Sequence, residues 1–213
     1  SAETIILEML EREAPDIAAI AGERETEDAS GAPPARCWVI DPLDGTKEFV
    51  KRNGEFTVNI GLIEGKAPVL GVISAPAIDL LFAAAGPGTA KRRVNGGGFE
   101  HVEARLVPKE GAVIVHSRSH NNSPRIAEFA AALPGATRIV SGSAIKFCKL
   151  AAGEADIYPR FGPTMEWDTG AGQAILEAAG GSVIRVETGQ PMRYAKHDLK
   201  NDAFLAWGRK PAW

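Results

Sequence analysis

Trp38-Val39-Ile40-Asp41-Pro42-Leu43-Asp44-Gly45-Thr46 is the stretch from which the fold can be read. Trp38, Val39 and Ile40 form a short apolar, β-favouring run, predicted to be a buried strand that stops at Asp41-Pro42, where proline removes a ladder donor and favours a turn. The end of that strand delivers two carboxylates, Asp41 and Asp44, around the turn. Gly45 leaves the backbone uncovered, and Thr46 adds a hydroxyl at a helix start. Carboxylates with room for water and phosphate oxygens suit magnesium, and backbone N–H groups at a helix N-terminus suit the phosphate itself. Asp-Pro or Asp-Gly alone is ordinary turn chemistry. Both together, after a strand and before Thr, are much rarer.

Asp41-Pro42-Leu43-Asp44-Gly45-Thr46 resembles the first signature of the magnesium-dependent phosphatases related to inositol monophosphatase. Its extension, Lys47-Glu48-Phe49 and then Lys51 to Ile60 (Lys-Arg-Asn-Gly-Glu-Phe-Thr-Val-Asn-Ile), resembles the branch of CysQ-type 3'(2'),5'-bisphosphate nucleotidases. A second signature stands more than a hundred residues downstream, at Trp167-Asp168-Thr169-Gly170-Ala171-Gly172, running on to Glu177-Ala178-Ala179-Gly180-Gly181. The similarity covers essentially the whole chain. It implies a sugar-phosphatase fold of alternating α and β layers, lacking its N-terminal part.

With 213 residues, 45% hydrophobic and 24% charged, the chain has the composition of a globular domain with a sizeable core. A net charge of −3 provides no basic field for a nucleic-acid polymer, so an anionic ligand must be met by local cations. Two cysteines, Cys37 and Cys148, form neither a disulfide framework nor a metal-ligand cluster. They fit a cytoplasmic protein, with attachment to the inner membrane face as a further expectation, and no run suggests a transmembrane segment. Oligomeric state is not encoded in any pattern here.

Working outward from the motif, Ile5, Ile6, Met9 and Leu10 recur at helical spacing, and the helix should end near Ala14-Pro15. This face should be covered by residues upstream of Ser1, where relatives carry several dozen more, including an aspartate that helps to activate water. Ile17 to Ala21 leads to Gly22-Glu23. Relatives have two successive glutamates there; spacing to Asp41 aligns Glu23 with the second, and Gly22 replaces the first. Strands are expected at Thr57 to Ile63, Val69 to Ile73 and Leu80 to Ala84, forming an antiparallel sheet with turns at Glu64-Gly65-Lys66 and Asn95 to Gly98. Lys91-Arg92-Arg93 reads as a solvated edge. Beyond residue 110 strands and helices alternate, with helices at Pro124 to Leu133, Ser143 to Ala152 and up to Ala179. The expected organisation is an antiparallel half, 1–110, and an α/β half, 111–213, within one catalytic domain.

Asp168, just before an alanine-rich helix, reads most simply as an N-cap, and the distant Asp41 and Asp44 raise the metal-ligand alternative. The resemblance implies that Glu23, Asp41, the Leu43 carbonyl, Asp44 and Asp168 hold two to three Mg2+ ions, and that Thr46, Asp41 and Glu23 serve catalysis. It further implies that substrate is bound by Leu43, Asp44, Gly45, Thr46, His120, Ser143, Lys146, Arg160 and Asp168. The implied substrate is a small phosphorylated nucleotide, adenosine 3',5'-bisphosphate, converted to AMP and phosphate in sulfur assimilation, with its sulfated parent as a second substrate. The alternatives are an inositol or sugar phosphatase, and a non-catalytic nucleotide- or metal-binding remnant suggested by Gly22. His116 and His120 follow a strand through a Ser-rich turn and do not read as a zinc pair. No nucleophile elbow or Walker motif is present.

Overall fold

The structure is a computed structural model that describes residues 1–22, 33–118 and 123–210. Helix α1, Ala2–Glu13, opens under the Ser1 hydroxyl, which accepts from the Thr4 N–H, and closes at Ala14 ahead of Pro15. Strands β1, Ala18–Ala21, and β2, Arg36–Asp44, pair in parallel. After α2, Thr46–Val50, the chain runs antiparallel through β3, Thr57–Glu64, β4, Ala67–Ala75, β5, Leu80–Ala85, β6, Lys91–Val94, and β7, Glu100–His101. These strands form one seven-stranded sheet in sequence order, antiparallel apart from its first pair.

The second half contributes β8, Val113–Ser117, α3, Pro124–Ala131, β9, Thr137–Ser141, α4, Ile145–Ala151, β10, Ile157–Arg160, and β11, Thr164–Met165. It ends with α5, Glu166–Ala178, β12, Ser182–Arg185, β13, Lys200–Asn201, and β14, Phe204–Trp207. Its five-stranded sheet has the order β12-β14-β10-β8-β9, while β11 and β13 pair separately.

Period-two burial sorts the side chains into layers. On β2, Cys37 and Val39 face the central core, whereas Trp38 and Ile40 pack against Ile6, Leu7 and Leu10 of α1. On β8, Val113 and Val115 face the central core, while Ile114 packs with Phe129 of α3 and Leu133 just beyond it. Helices α4 and α5 lie in that core, where Phe147, Ile175 and Leu176 join Ile63 and Ile73 of one sheet to Tyr158, Val183 and Phe204 of the other. The order of layers is therefore α1, seven-stranded sheet, α4 and α5, five-stranded sheet, α3. Each fully buried large side chain here contributes roughly 1.5–3 kcal/mol.

Glycines set the closest contact between layers. A Cβ on Gly71 would lie 2.3 Å from the Ala171 carbonyl oxygen, and one on Gly61 would lie 2.8 Å from the Ala171 nitrogen. Backbone meets backbone there, so α5 rests directly on β3 and β4. Two expectations need correction. Strand β2 does not stop at Asp41-Pro42 but continues to Asp44. Its register to β3 shifts between the pairs Asp41–Asn59 and Asp44–Thr57, placing Pro42 and Leu43 opposite Val58 alone. A bulge tolerates proline because its residues leave the ladder. Lys91-Arg92-Arg93 is likewise no edge: it is strand β6, paired on both sides, with Arg92 reaching Glu100 and Glu154.

Candidate active site

The bulge in β2 turns the backbone so that Asp41 and Asp44 both reach the end of the sheet. Asp41 accepts from the Leu43 N–H at 2.9 Å. Gly45 follows at φ +85°, a left-handed conformation in which a side chain is strained, and caps the short helix opened by Thr46. Asp168 comes from the central layer. It is not the N-cap expected from sequence: the cap lies three residues earlier, at Met165, and the Asp168 carboxylate accepts from the Met165 N–H at 2.8 Å. A first-turn acid reaching back in this way leaves its second oxygen free of that bond.

Oxygens of Asp41, Asp44 and Asp168 all lie within 4.8 Å of one another. Burial, then the neighbouring Asp44 carboxylate, pushes the Asp41 carboxyl up to about 8. The same two causes raise Asp168 to about 6, opposed by the Met165 N–H. Three half-buried carboxylates repelling one another, all oxygen donors, fit a hard divalent cation. Asp44 is further held by side chains: the Ser143 hydroxyl donates to its carboxylate at 2.6 Å, and the Asn59 amide lies at 3.4 Å. Ser143 takes φ +52°, so the turn entering α4 is strained at the residue that grips Asp44.

Beside the cluster is a cavity of about 300 Å³ lined by Asp44, Gly45, Thr46, Lys47, Glu48, Ser143, Lys146, Tyr158, Arg160 and Asp168, among others. Asp41 and Leu43 are not on its wall. Lys146 is buried, donates to the Ser143 carbonyl at 2.6 Å and sits 5.1 Å from the Tyr158 ring centroid. Burial lowers its ammonium to about 8. Arg160 lines the same wall, with one guanidinium nitrogen donating to the Pro163 carbonyl at 3.0 Å. Of the remaining expected residues, Glu23 and His120 lie outside the described residues.

Sequence reasoning gave no role to Glu55, Thr57, Asn59 or Arg118. Arg118 grips Glu55 through two nitrogens, each at 2.9 Å, and Glu55 also accepts from the Gly142 N–H at 3.0 Å. This ties the segment before β3 to the turn carrying Ser143. Thr57 and Asn59 are buried polar side chains on one face of β3. Polar residues at positions i and i+2 of an apolar strand were the signal that could have found them. Cys37 and Cys148 are free and buried, and burial raises both thiols. No described helix is long and apolar enough to cross a membrane.

Five alternating layers, with carboxylates from a strand end and a central helix meeting beside a cavity that also bears Lys146 and Arg160, define the architecture of inositol monophosphatase-like proteins. The chain belongs to the inositol monophosphatase family, whose sequence profile matches residues 1–208. It is 43% identical over 191 residues to the 3'(2'),5'-bisphosphate nucleotidase CysQ of Salmonella typhimurium, covering 86% of this chain and 72% of that protein. To the CysQ of Escherichia coli K12 it is 38% identical over 198 residues, covering 93% and 78%. The crystal structure of CysQ from Bacteroides thetaiotaomicron superposes with a TM-score of 0.86 at 37% identity, covering 98% of this chain and 82% of that one.

Proposed function

We propose that this protein is a magnesium-dependent 3'(2'),5'-bisphosphate nucleotidase. Water and adenosine 3',5'-bisphosphate give AMP and inorganic phosphate, and 3'-phosphoadenylyl sulfate is a second substrate. The observation that carries the reading is the three-carboxylate cluster on one side of a cavity whose other walls bear Lys146 and Arg160. One phosphate of the substrate belongs beside the acids, and a second anionic group belongs with the cations. An inositol monophosphate has only the first.

Two to three Mg2+ ions would be held by Glu23, Asp41, the Leu43 carbonyl, Asp44 and Asp168, supplying a bound water of lowered pKa and neutralising charge on the phosphoryl oxygens. The chain's own groups do the rest. Thr46 orients the attacking water by accepting one of its hydrogens, assisted by Asp41 and Glu23. Gly45 and Thr46 present backbone N–H groups to the scissile phosphate. Ser143 and the Leu43–Asp44 backbone fix its direction of approach, and Lys146, Arg160 and His120 hold the other phosphate. Arg160 does so as a fork and Lys146 as a point charge. Residues 1–110 and 111–213 act as two halves of one catalytic unit, and the buried free thiols suit a reducing cytoplasm.

Phosphate release from adenosine 3',5'-bisphosphate and from inositol 1-phosphate, with Mg2+ or with EDTA, tests the reading. Faster turnover of the nucleotide, abolished by EDTA, is expected. Preference for the inositol ester would establish the sugar-phosphatase alternative, and nucleotide binding without turnover by either ester the non-catalytic one.

A further inference from the structure

Asn201 ends β13 and is not on the wall of the cavity beside the carboxylates, yet its side chain reaches both sides of the turn that carries Asp168. Its amide nitrogen donates to the Met165 carbonyl at 2.7 Å and to the Thr169 hydroxyl at 2.9 Å, and lies 3.1 Å from the Thr164 hydroxyl. A carbonyl can be met only by the nitrogen end of the amide, so the side chain has one orientation. Its Oδ1 is then buried with no partner among the described residues, a cost that the donors on the other end must offset. Met165 is the cap whose N–H holds the Asp168 carboxylate, and Thr169 is the next residue along the helix. Asn201 therefore brackets Asp168, with one bond before it in the chain and one after.

The segment that delivers Asn201 is itself fixed to α5. The fully buried Glu166 carboxylate accepts from the Ala195 N–H at 2.7 Å, the Lys196 N–H at 3.1 Å and the Lys196 ammonium at 2.6 Å. The Glu166 N–H donates in turn to the Leu199 carbonyl at 2.8 Å. Ala195 and Leu199 take φ of +54° and +53°, a strained conformation for residues with side chains that persists only where the surroundings hold it. The buried Tyr194 hydroxyl lies 3.0 Å from that of Thr169. We infer that Asn201 is a positioning residue for the metal site, and that residues 194–201 form a clamp setting Asp168 where its oxygen meets those of Asp41 and Asp44. Magnesium takes its oxygens at about 2.0–2.1 Å in near-octahedral geometry, so a ligand displaced by roughly 0.5 Å binds it poorly. The inference rests on the three carboxylates holding Mg2+, and not on which ester is cleaved.

The test measures Mg2+ binding to the full chain by calorimetry, beside Tm in EDTA. Asn201→Leu keeps the size of the side chain and removes its donors. It is expected to raise the Kd for Mg2+ about tenfold, as loss of a group that orients a metal ligand does. The Mg2+ concentration giving half-maximal turnover should rise with it, while KM for the nucleotide at saturating Mg2+ is unchanged. Thr169→Val is isosteric, removes only the bond on the helix side, and is expected to raise Kd less. Ile114→Val, in the separate core facing α3, is the control: it should lower Tm and leave Kd where it was. An Asn201→Leu chain that loses Tm but keeps its Kd would overturn the positioning role, and so would an equal rise in Kd in Ile114→Val. If Asn201→Leu does not fold, an unchanged Kd in Thr169→Val overturns it. Absence of Mg2+ binding by the unmodified chain would remove the metal reading as well.

Discussion

Replacing Asp41 with Asn should stabilise the metal-free protein and weaken the metal-loaded one. The side chain keeps its size and can still accept from the Leu43 N–H, but it no longer ionises among Asp44 and Asp168. In the wild-type fold burial and the Asp44 charge hold this carboxyl protonated up to about pH 8. The unfolded chain releases that proton near pH 4. Between those values the folded state binds more protons than the unfolded state, so stability is lost as pH rises. A displacement of about four units sets a ceiling of roughly 6 kcal/mol. Asp41 retains some solvent and shares its charge with two neighbours, so about 2 kcal/mol at pH 8 is the realistic size. In a chain this long that is about 4–8 °C in Tm. Thermal denaturation in EDTA from pH 4 to 9 should therefore show Asp41→Asn gaining on the wild type toward pH 8 and level with it near pH 4. Saturating Mg2+ should reverse the order, because an ion at a hundred times its Kd adds about 2.7 kcal/mol to the chain that binds it. Parallel pH curves in EDTA, or equal stabilisation of both proteins by Mg2+, would refute the mutual repulsion of the three acids.

Three shorter predictions follow from the same geometry. Burial lowers Lys146 to about 8, so its cation is lost as pH rises through that value; calorimetric affinity for AMP should weaken from pH 7 to 9, and Lys146→Arg should flatten the profile. Gly71→Ala would set a Cβ 2.3 Å from the Ala171 carbonyl, where backbone rather than a mobile side chain must yield. An unfolding free energy from urea titration lower by about 3 kcal/mol is expected, and a neutral result would mean α5 does not rest on β4 as described. Glu55→Gln weakens the grip of half-exposed Arg118 and should take away at most about 1 kcal/mol by urea denaturation; KM for the nucleotide should rise as the Gly142–Ser143 turn loosens, and an unchanged KM would deny Glu55 any positioning role.

The layered fold was legible chiefly through the family resemblance that the two signatures carry; pattern alone gave single elements, an apolar strand at Trp38 to Ile40 and a helical spacing at Ile6 to Leu10, and which core each strand residue faces emerged only from the structure. Meeting of the distant acids was legible through the two signatures. What stayed hidden depends on partners that periodicity does not encode. Nothing within Ala18–Ala21 says that it pairs in parallel with β2, and two-residue strands such as β11 and β13 are too short to show a period. The bulge at Pro42 and Leu43 was hidden because proline reads locally as a stop, whereas a register slip against β3 accommodates it. The helix cap was misplaced by three positions for a similar reason: helix starts blur when Thr164 and Met165 pair with β13 right up to the cap. The Arg118–Glu55 grip spans 63 positions, and charge pattern alone offers many equivalent partners.

Because Asp168 reaches Asp41 and Asp44 only when α5 is seated on the glycines of β3 and β4, the ion site has no local precursor along the chain. Closing so long a loop costs entropy before its contacts give any return, so the three side chains are expected to converge late in folding. Divalent ions should accordingly slow the rate of unfolding while leaving the refolding rate nearly untouched.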